Sequence, residues 1–214
     1  GSVIGSPGGE SRGNLVRGLR VVSNRVDGIN CFGIALHAGH VELTSGGHSL
    51  RNEIADVLIG GNRVHQCENG VALIGGVAAA SGGVVEENSL RQVTVAGNEL
   101  GGNAQGLNVI GAAGAESTTV PGDFDRVVAL AARNRVETLR IAGNRITGSG
   151  VGMSFNGGIS FESPDILVDN RVESVWIGRN WLRGNLFDCA VADDVVVGDA
   201  GGEASGNAAL VTCD

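Results

Sequence analysis

The amino-acid sequence predicts an all-β chain wound into a parallel solenoid, and three observations predict it. Glycine is abundant, at 37 of 214 residues, more than twice the ~7% of an average protein. Val and Ile together number 40 against 16 Leu, the balance of strands and not of helices. A motif of alternating apolar residues that ends on an asparagine recurs five times at near-constant spacing.

The same composition excludes other classes. A helical bundle favours Ala, Leu, Glu and Lys and avoids this much glycine, whereas this chain has no lysine. Collagen needs Gly at every third position and far more than the 3 Pro present here. A hydrophobic content of 42% is enough to close a core, which argues against disorder. The net charge of −8 argues against a nucleic-acid binder, whose footprint is a basic stripe. No membrane insertion is expected: a spanning helix needs ~18 or more apolar residues, and the longest uncharged run, Asn69 to Val85, is broken by five glycines. Gly1-Ser2 reads as a cloning scar and Val3 to Arg12 as a linker, so flanking domains of a larger parent chain are expected.

The motif reads apolar, any, apolar, any, any, Asn, any, apolar. Its copies are Leu19 to Val26, Val57 to Val64, Val93 to Leu100, Leu139 to Ile146 and Val175 to Leu182. The asparagines are Asn24, Asn62, Asn98, Asn144 and Asn180, spaced 38, 36, 46 and 36 residues apart. A Gly-apolar-any-apolar element follows at Gly33, Gly70, Gly106 and Gly152, with Asp188 in the glycine's place in the fifth copy. A further echo, Asn-Arg-Val-Glu, occurs at Asn134 and Asn170.

Alternation of period two makes strands with one face inward. The spacing leaves no room for crossover helices, so parallel strands must be joined by turns that coil about one axis. The recurrent Asn suits a sharp bend, because it tolerates left-handed geometry and its amide can hydrogen-bond from coil to coil. One Asn per coil at one position would build a ladder. On these residues the sequence resembles the right-handed parallel β-helix repeats of the pectate-lyase-like superfamily, in their carbohydrate-binding and sugar-hydrolase form. The resemblance covers residues 14 to 192. It implies a single-stranded solenoid of about five coils, each with three short strands: the stretch before the Asn, the pair after it, and the Gly-headed segment. Residues 1–13 are then linker and N-terminal cap, 14–192 the β-helix, and 193–214 a partial coil or cap. Loops are expected at Ala38 to Leu50, Val77 to Leu90, Ile110 to Arg133 and Asn156 to Asp165. In the third, Pro121 to Asp125 reads as a turn or helix start, with Phe124 against a partner or against the stack.

The outward residues of the strand before the Asn are Arg20, Leu58, Thr94, Arg140 and Trp176. Arg140 and Trp176 would be vertical neighbours, as would Arg145 and Trp181 one corner away. An indole beside a guanidinium suits stacking on a sugar and hydrogen bonding to it; the alternative is a structural cation–π pair. The resemblance implies that a polysaccharide would lie on this outer face. Lyases resembling this fold use an Arg or Lys base beside calcium, and hydrolases use paired carboxylates. The chain has no Asn-Thr-Asp, Gly-His-Gly or Arg-Ile-Lys. Asp193 and Asp194 are adjacent, and adjacent strand residues face opposite ways.

Histidines 37, 40 and 48 with Glu42 are a conceivable metal set, but spacings of 3 and 8 match no zinc pattern. Asp188, Asp193, Asp194, Asp199 and Asp214 read as a solvated acidic cap and not a calcium repeat. No metal and no cofactor are expected. Cys31 and Cys67 lie at nearly matching places in consecutive coils, and Cys189 and Cys213 would tie the last segment to the final coil. Two disulfides suit a secreted chain; free thiols in the stack are the alternative.

The expected function is therefore a non-catalytic scaffold or recognition module of a larger bacterial extracellular, surface or periplasmic protein. Its expected ligand class is carbohydrate, held at Arg140, Trp176, Arg145 and Trp181. A polysaccharide lyase or glycoside hydrolase is a second reading. A virion or secretion-apparatus spike, with the coil as a rigid spacer in a homotrimer, is a third.

Overall fold

A computed structural model describes residues 2–4, 8–42, 46–79, 82–114, 129–161, 166–197 and 203–213. They form a parallel β-helix of about four turns. Each coil has four sides. The second coil shows the pattern: His48–Leu50, Glu53–Gly60, Arg63–His65 and Asn69–Ala79. We call the resulting sheets I, II, III and IV. Every described pairing between coils is parallel, for example Val93 with Val57 and Leu139 in sheet II, or Val71 with Leu107 in sheet IV.

Backbone strain sets the corners at intervals of five residues. In the second coil Arg51, Asp56, Gly61 and Gln66 all have φ between 54° and 62°. Each is followed by a buried residue, Asn52, Val57, Asn62 and Cys67. The next coil repeats this with Asn88, Val93, Asn98 and Asn103. A left-handed residue reverses the chain sharply enough for its successor to point inward. Two corners carry Asn in every coil, the third carries Cys67, Asn103, Ser149 or Asn185, and the bend inside sheet II carries Val or Leu.

Two asparagine ladders run the length of the stack. At the corner between sheets II and III, the backbone N–H and side-chain amide of Asn62 both donate to Oδ1 of Asn98 at 2.9 Å. Asn24 donates likewise to Asn62, Asn98 to Asn144, and Asn144 to Asn180. The second ladder, between sheets I and II, links Asn14, Asn52, Asn88, Asn134, Asn170 and Asn207. The echo at Asn134 and Asn170 belongs to it. These bonds satisfy backbone groups that a corner would otherwise bury unpaired.

The main core fills the space between sheets II, III and IV with Ile59, Val64, Leu73, Leu100, Leu107, Ile141, Ile146 and Phe155. The middle strands of sheet IV are buried on both faces: Ala72, Ile74, Val77, Ile110, Ala113 and Ile159 form a separate cluster on its outer side. Sheet IV also bends where it crosses the second ladder. At Gly76 a Cβ would meet the Asn134 side chain at 2.7 Å and Val85 at 2.8 Å, so these side chains would have to shift to admit one, while the next coil carries Ala112 at the equivalent position.

Several expectations are corrected. Coils have four strands, not three: sheet I lies inside three of the expected loops, at His48–Leu50, Val84–Glu86 and Leu130–Ala132, and just after the fourth, at Ile166–Val168. Sheet IV strands also run further, to Glu42, Ala79, Gly114 and Phe161. Five motif copies give sheet III its five strands, and the stack makes about four turns. Strand pairing extends beyond 14–192, with Glu10–Arg12 on His48–Leu50 and Glu203–Ser205 on Ile166–Val168. Pro121 to Asp125, Asp199 and Asp214 lie outside the described residues.

The cysteines divide. Cys189 and Cys213 form a disulfide with Cα atoms 6.2 Å apart. Beside it, Ala208–Ala209 adds to sheet II, and the Ala209 N–H donates to Asp193 Oδ1 at 2.9 Å. Cys31 and Cys67 are free thiols, one exposed and one buried. The register explains this. Val64 lies opposite Val26 and Asn69 opposite Phe32, so Cys67 falls before Cys31, and neighbouring residues face opposite ways.

Candidate functional site

The outer faces of sheets II and III carry the charged and aromatic residues in vertical columns. One column of sheet II runs Arg20, Leu58, Thr94, Arg140, Trp176. Around the corner, one column of sheet III runs Arg25, Arg63, Glu99, Arg145, Trp181. Its neighbour runs Asp27, His65, Gly101, Thr147, Arg183. Columns arise because each coil repeats the same five-residue sides, so equal positions stack.

The structure brings the four candidate residues together as two stacked pairs. The guanidinium carbon of Arg140 lies 4.7 Å from the Trp176 ring centroid, and that of Arg145 lies 4.2 Å from Trp181. Arg183, on the same strand as Trp181, reaches its ring at 6.0 Å. Trp176 is 51% exposed and Trp181 44%. Each indole therefore has one face under an arginine from the preceding coil. On the opposite side no described strand follows: Ala208–Ala209 pairs only with Arg171 and Val172, and Trp181–Arg183 ends sheet III. The Trp176 ring lies along its own strand over Gly178, where a Cβ would be 2.6 Å from the indole.

Charge changes along the stack. Toward the N-terminal coils arginines pair with acids: Arg51 with Glu87 at 2.6 Å, Arg91 with Glu53 at 2.6 Å, Arg63 with Glu99 at 2.8 Å. These contacts hold the Glu53 and Glu87 carboxyls below the usual carboxylate range, chiefly through the hydrogen bonds from Arg91 and Arg51. In the last two coils Arg140, Arg145, Arg179 and Arg183 have no carboxylate partner among the described residues. Arg179 is the left-handed corner residue, φ 55°, between the two tryptophans.

The other candidate groups stay apart. His37 and His40 pack with ring centroids 5.2 Å apart on sheet IV, His48 is on sheet I, and His65 is on sheet III, 3.8 Å from Glu99. No group of three or more His, Cys, Asp or Glu converges among the described residues. Asp193 is engaged with Ala209, and Asp188 accepts from Asn185 at 3.0 Å. A shallow cleft of about 240 Å³ lies on sheet III between Arg25, Asp27, Arg63, His65 and Glu99. Its arginines and acids already pair with one another, Arg25 with Asp27 at 3.8 Å and Arg63 with Glu99.

Sequence reasoning missed Arg179 and Arg183. Arg183 was within reach, since it stands two residues after Trp181 and so shares its face. Arg179 needed the corner geometry. No protein-family model matches the chain, and no curated protein matches it either.

Proposed function

We propose that the protein is a non-catalytic recognition module that binds carbohydrate at the end of its β-helix, on Trp176 and Trp181. The observation that carries this reading is the pair of half-exposed indoles, each with the guanidinium of an arginine from the preceding coil over its ring. An indole fixed in this way is a preformed platform for the apolar face of a sugar ring, at little cost in side-chain entropy. The resemblance to pectate-lyase-like repeats supports the ligand class by analogy of fold. The Cys189–Cys213 disulfide supports an extracellular or cell-surface setting.

A glycan array with the wild type and with Trp176→Ala/Trp181→Ala tests the reading. Binding to at least one glycan that disappears in the double variant is the expected result. Binding that persists unchanged in the double variant overturns it. A second assay, reducing-sugar release from a polysaccharide panel, addresses the lyase or hydrolase reading, and no release is expected.

A further inference from the structure

We infer that the ligand of this site is a glycan bearing sulfate esters, an inference that rests on the carbohydrate reading above. The chain as a whole is acidic, with a net charge of −8. Against that background, three guanidiniums lie at the two indole rings and a fourth arginine stands at the corner between them, none with an ion pair among the described residues. Arg140 and Arg145 lie over the rings, Arg179 sits at the corner between them, and Arg183 shares the Trp181 strand. Elsewhere on the same outer faces, arginines meet glutamates at the equivalent columns, as Arg63 meets Glu99. In sheet III the column that carries Glu99 ends in Trp181, with Arg145 between them.

The chemistry follows from what stacked guanidiniums leave free. An arginine whose plane lies on an indole still presents its N–H edge outward, and that edge donates to oxyanions in a fork. Two such arginines come from one coil, and two from the next, so forks approach from two levels about 4.8 Å apart. A carboxylate has about four acceptor sites, but all lie in one plane, which suits forks on a single level. A sulfate ester offers three oxygens in three directions and can accept from arginines on both levels. The exposed parts of the indoles take the sugar rings between sulfates. Trp176 and Trp181 are five residues apart, at most about 17 Å along the chain, so one short oligosaccharide spans both.

Affinity electrophoresis and calorimetry of the folded chain against dextran sulfate, polygalacturonate, dextran and inorganic polyphosphate test this. Dextran sulfate should bind, dextran should not, and polygalacturonate should bind at least tenfold more weakly. Arg179→Ser and Arg183→Ser are exposed and ion-pair-free, so their variants keep the fold, which circular dichroism verifies. Together they should weaken dextran sulfate binding by tenfold or more. Binding should also fall as salt rises from 0.05 to 0.5 M, values set to shorten the screening length from roughly 14 to 4 Å. Equal affinity for dextran overturns the sulfate inference and leaves the carbohydrate reading standing. Equal affinity for polygalacturonate overturns the preference for sulfate. Polyphosphate binding as tight as dextran sulfate, insensitive to Trp176→Ala/Trp181→Ala, overturns the carbohydrate reading itself.

Discussion

Arg140 and Trp176 occupy one column of sheet II in parallel register, with the guanidinium carbon 4.7 Å from the indole centroid. The pair spans two coils, so it couples the last full coil to the one before. An exposed cation–π contact is worth about 0.5–1 kcal/mol. Arg140→Ala should therefore lower the unfolding free energy by no more than about 1 kcal/mol. It should also red-shift the tryptophan emission as solvent reaches the uncovered face. A loss of several kcal/mol in urea unfolding would show that the pair is chiefly structural.

The ladder asparagines should matter far more. Asn98 accepts from the Asn62 N–H and side-chain amide, and it donates twice to Asn144 and once to the Ile59 carbonyl. Asn98→Ala leaves the Asn62 N–H without its acceptor, removes one of the two acceptors of the Asn62 side-chain amide, which keeps the Val21 carbonyl, and deprives the Ile59 carbonyl of its donor. At about 1–3 kcal/mol for each buried unsatisfied group, the loss is roughly 2–4 kcal/mol. Asn24→Ala, at the exposed end of the same ladder, should cost about 1 kcal/mol or less. Denaturant unfolding of both variants checks the contrast, and equal losses would count against it.

The ladder at Asn24 to Asn180 was legible because its flanks repeat: an alternating apolar stretch ends at each copy. The second ladder was only half legible, since Asn52 and Asn88 lack the Arg-Val-Glu that follows Asn134 and Asn170. Sheet I escaped altogether. Its strands are three residues long and share no motif, as Val84–Glu86 and Leu130–Ala132 show. The backbone makes them strands because their neighbours in the stack are already in register. The Cys31–Cys67 pairing failed because the offset between coils changes from 38 residues at Val26 to 37 at Phe32. A one-residue change turns a side chain from inside to outside. Of the site, the two Arg–Trp pairs followed from column arithmetic, while Arg179 depended on a corner conformation that sequence spacing does not express.

Two glycine substitutions separate packing from backbone strain. Gly76→Ala places a Cβ 2.7 Å from the Asn134 side chain inside the second ladder. Overpacking of this kind costs about 1–3 kcal/mol, and the disturbed ladder adds to it. Gly97→Ala meets nothing within 4 Å, but its φ is +65°, so it should cost only about 1 kcal/mol. Thermal unfolding of the two variants should rank Gly76→Ala as the more destabilised.

The thiols give a count that needs no stability measurement. Under denaturing conditions without reductant, two thiols should react, those of Cys31 and Cys67; after reduction, four should react. Cys31 alone should react quickly in the native protein, because Cys67 is buried. Reducing the Cys189–Cys213 bridge, which spans 24 residues, should lower stability by about 3 kcal/mol on the loop-entropy scale. Four reactive thiols before reduction would remove the bridge from the account.

His37 should make stability depend on pH. Its imidazole is packed edge-on against Phe32 and His40, at 5.8 and 5.2 Å between ring centroids. It stacks in register with Ile74, and its Nε2 is buried without a hydrogen-bond partner. Burial, helped by the neighbouring His40, lowers its pKa from 6.5 to about 4. The neutral form is thus the one the fold accepts, while the unfolded chain takes up a proton below pH 6.5. Stability contributed by neutral His37 is complete above pH 6.5, declines as pH falls, and is gone below about pH 4. A shift of this size corresponds to the order of 2–4 kcal/mol. Urea unfolding at pH 7.5, 6, 5 and 4 should show that decline, and His37→Leu should flatten it by filling the same site without a titrating group. Glu53 and Glu87, whose pKa values are also lowered, lose their ion pairs only as pH falls below the ordinary carboxylate range. They therefore leave the interval from pH 6.5 to 5 to the histidines, and an unchanged slope in His37→Leu over that interval would assign the titration to another group.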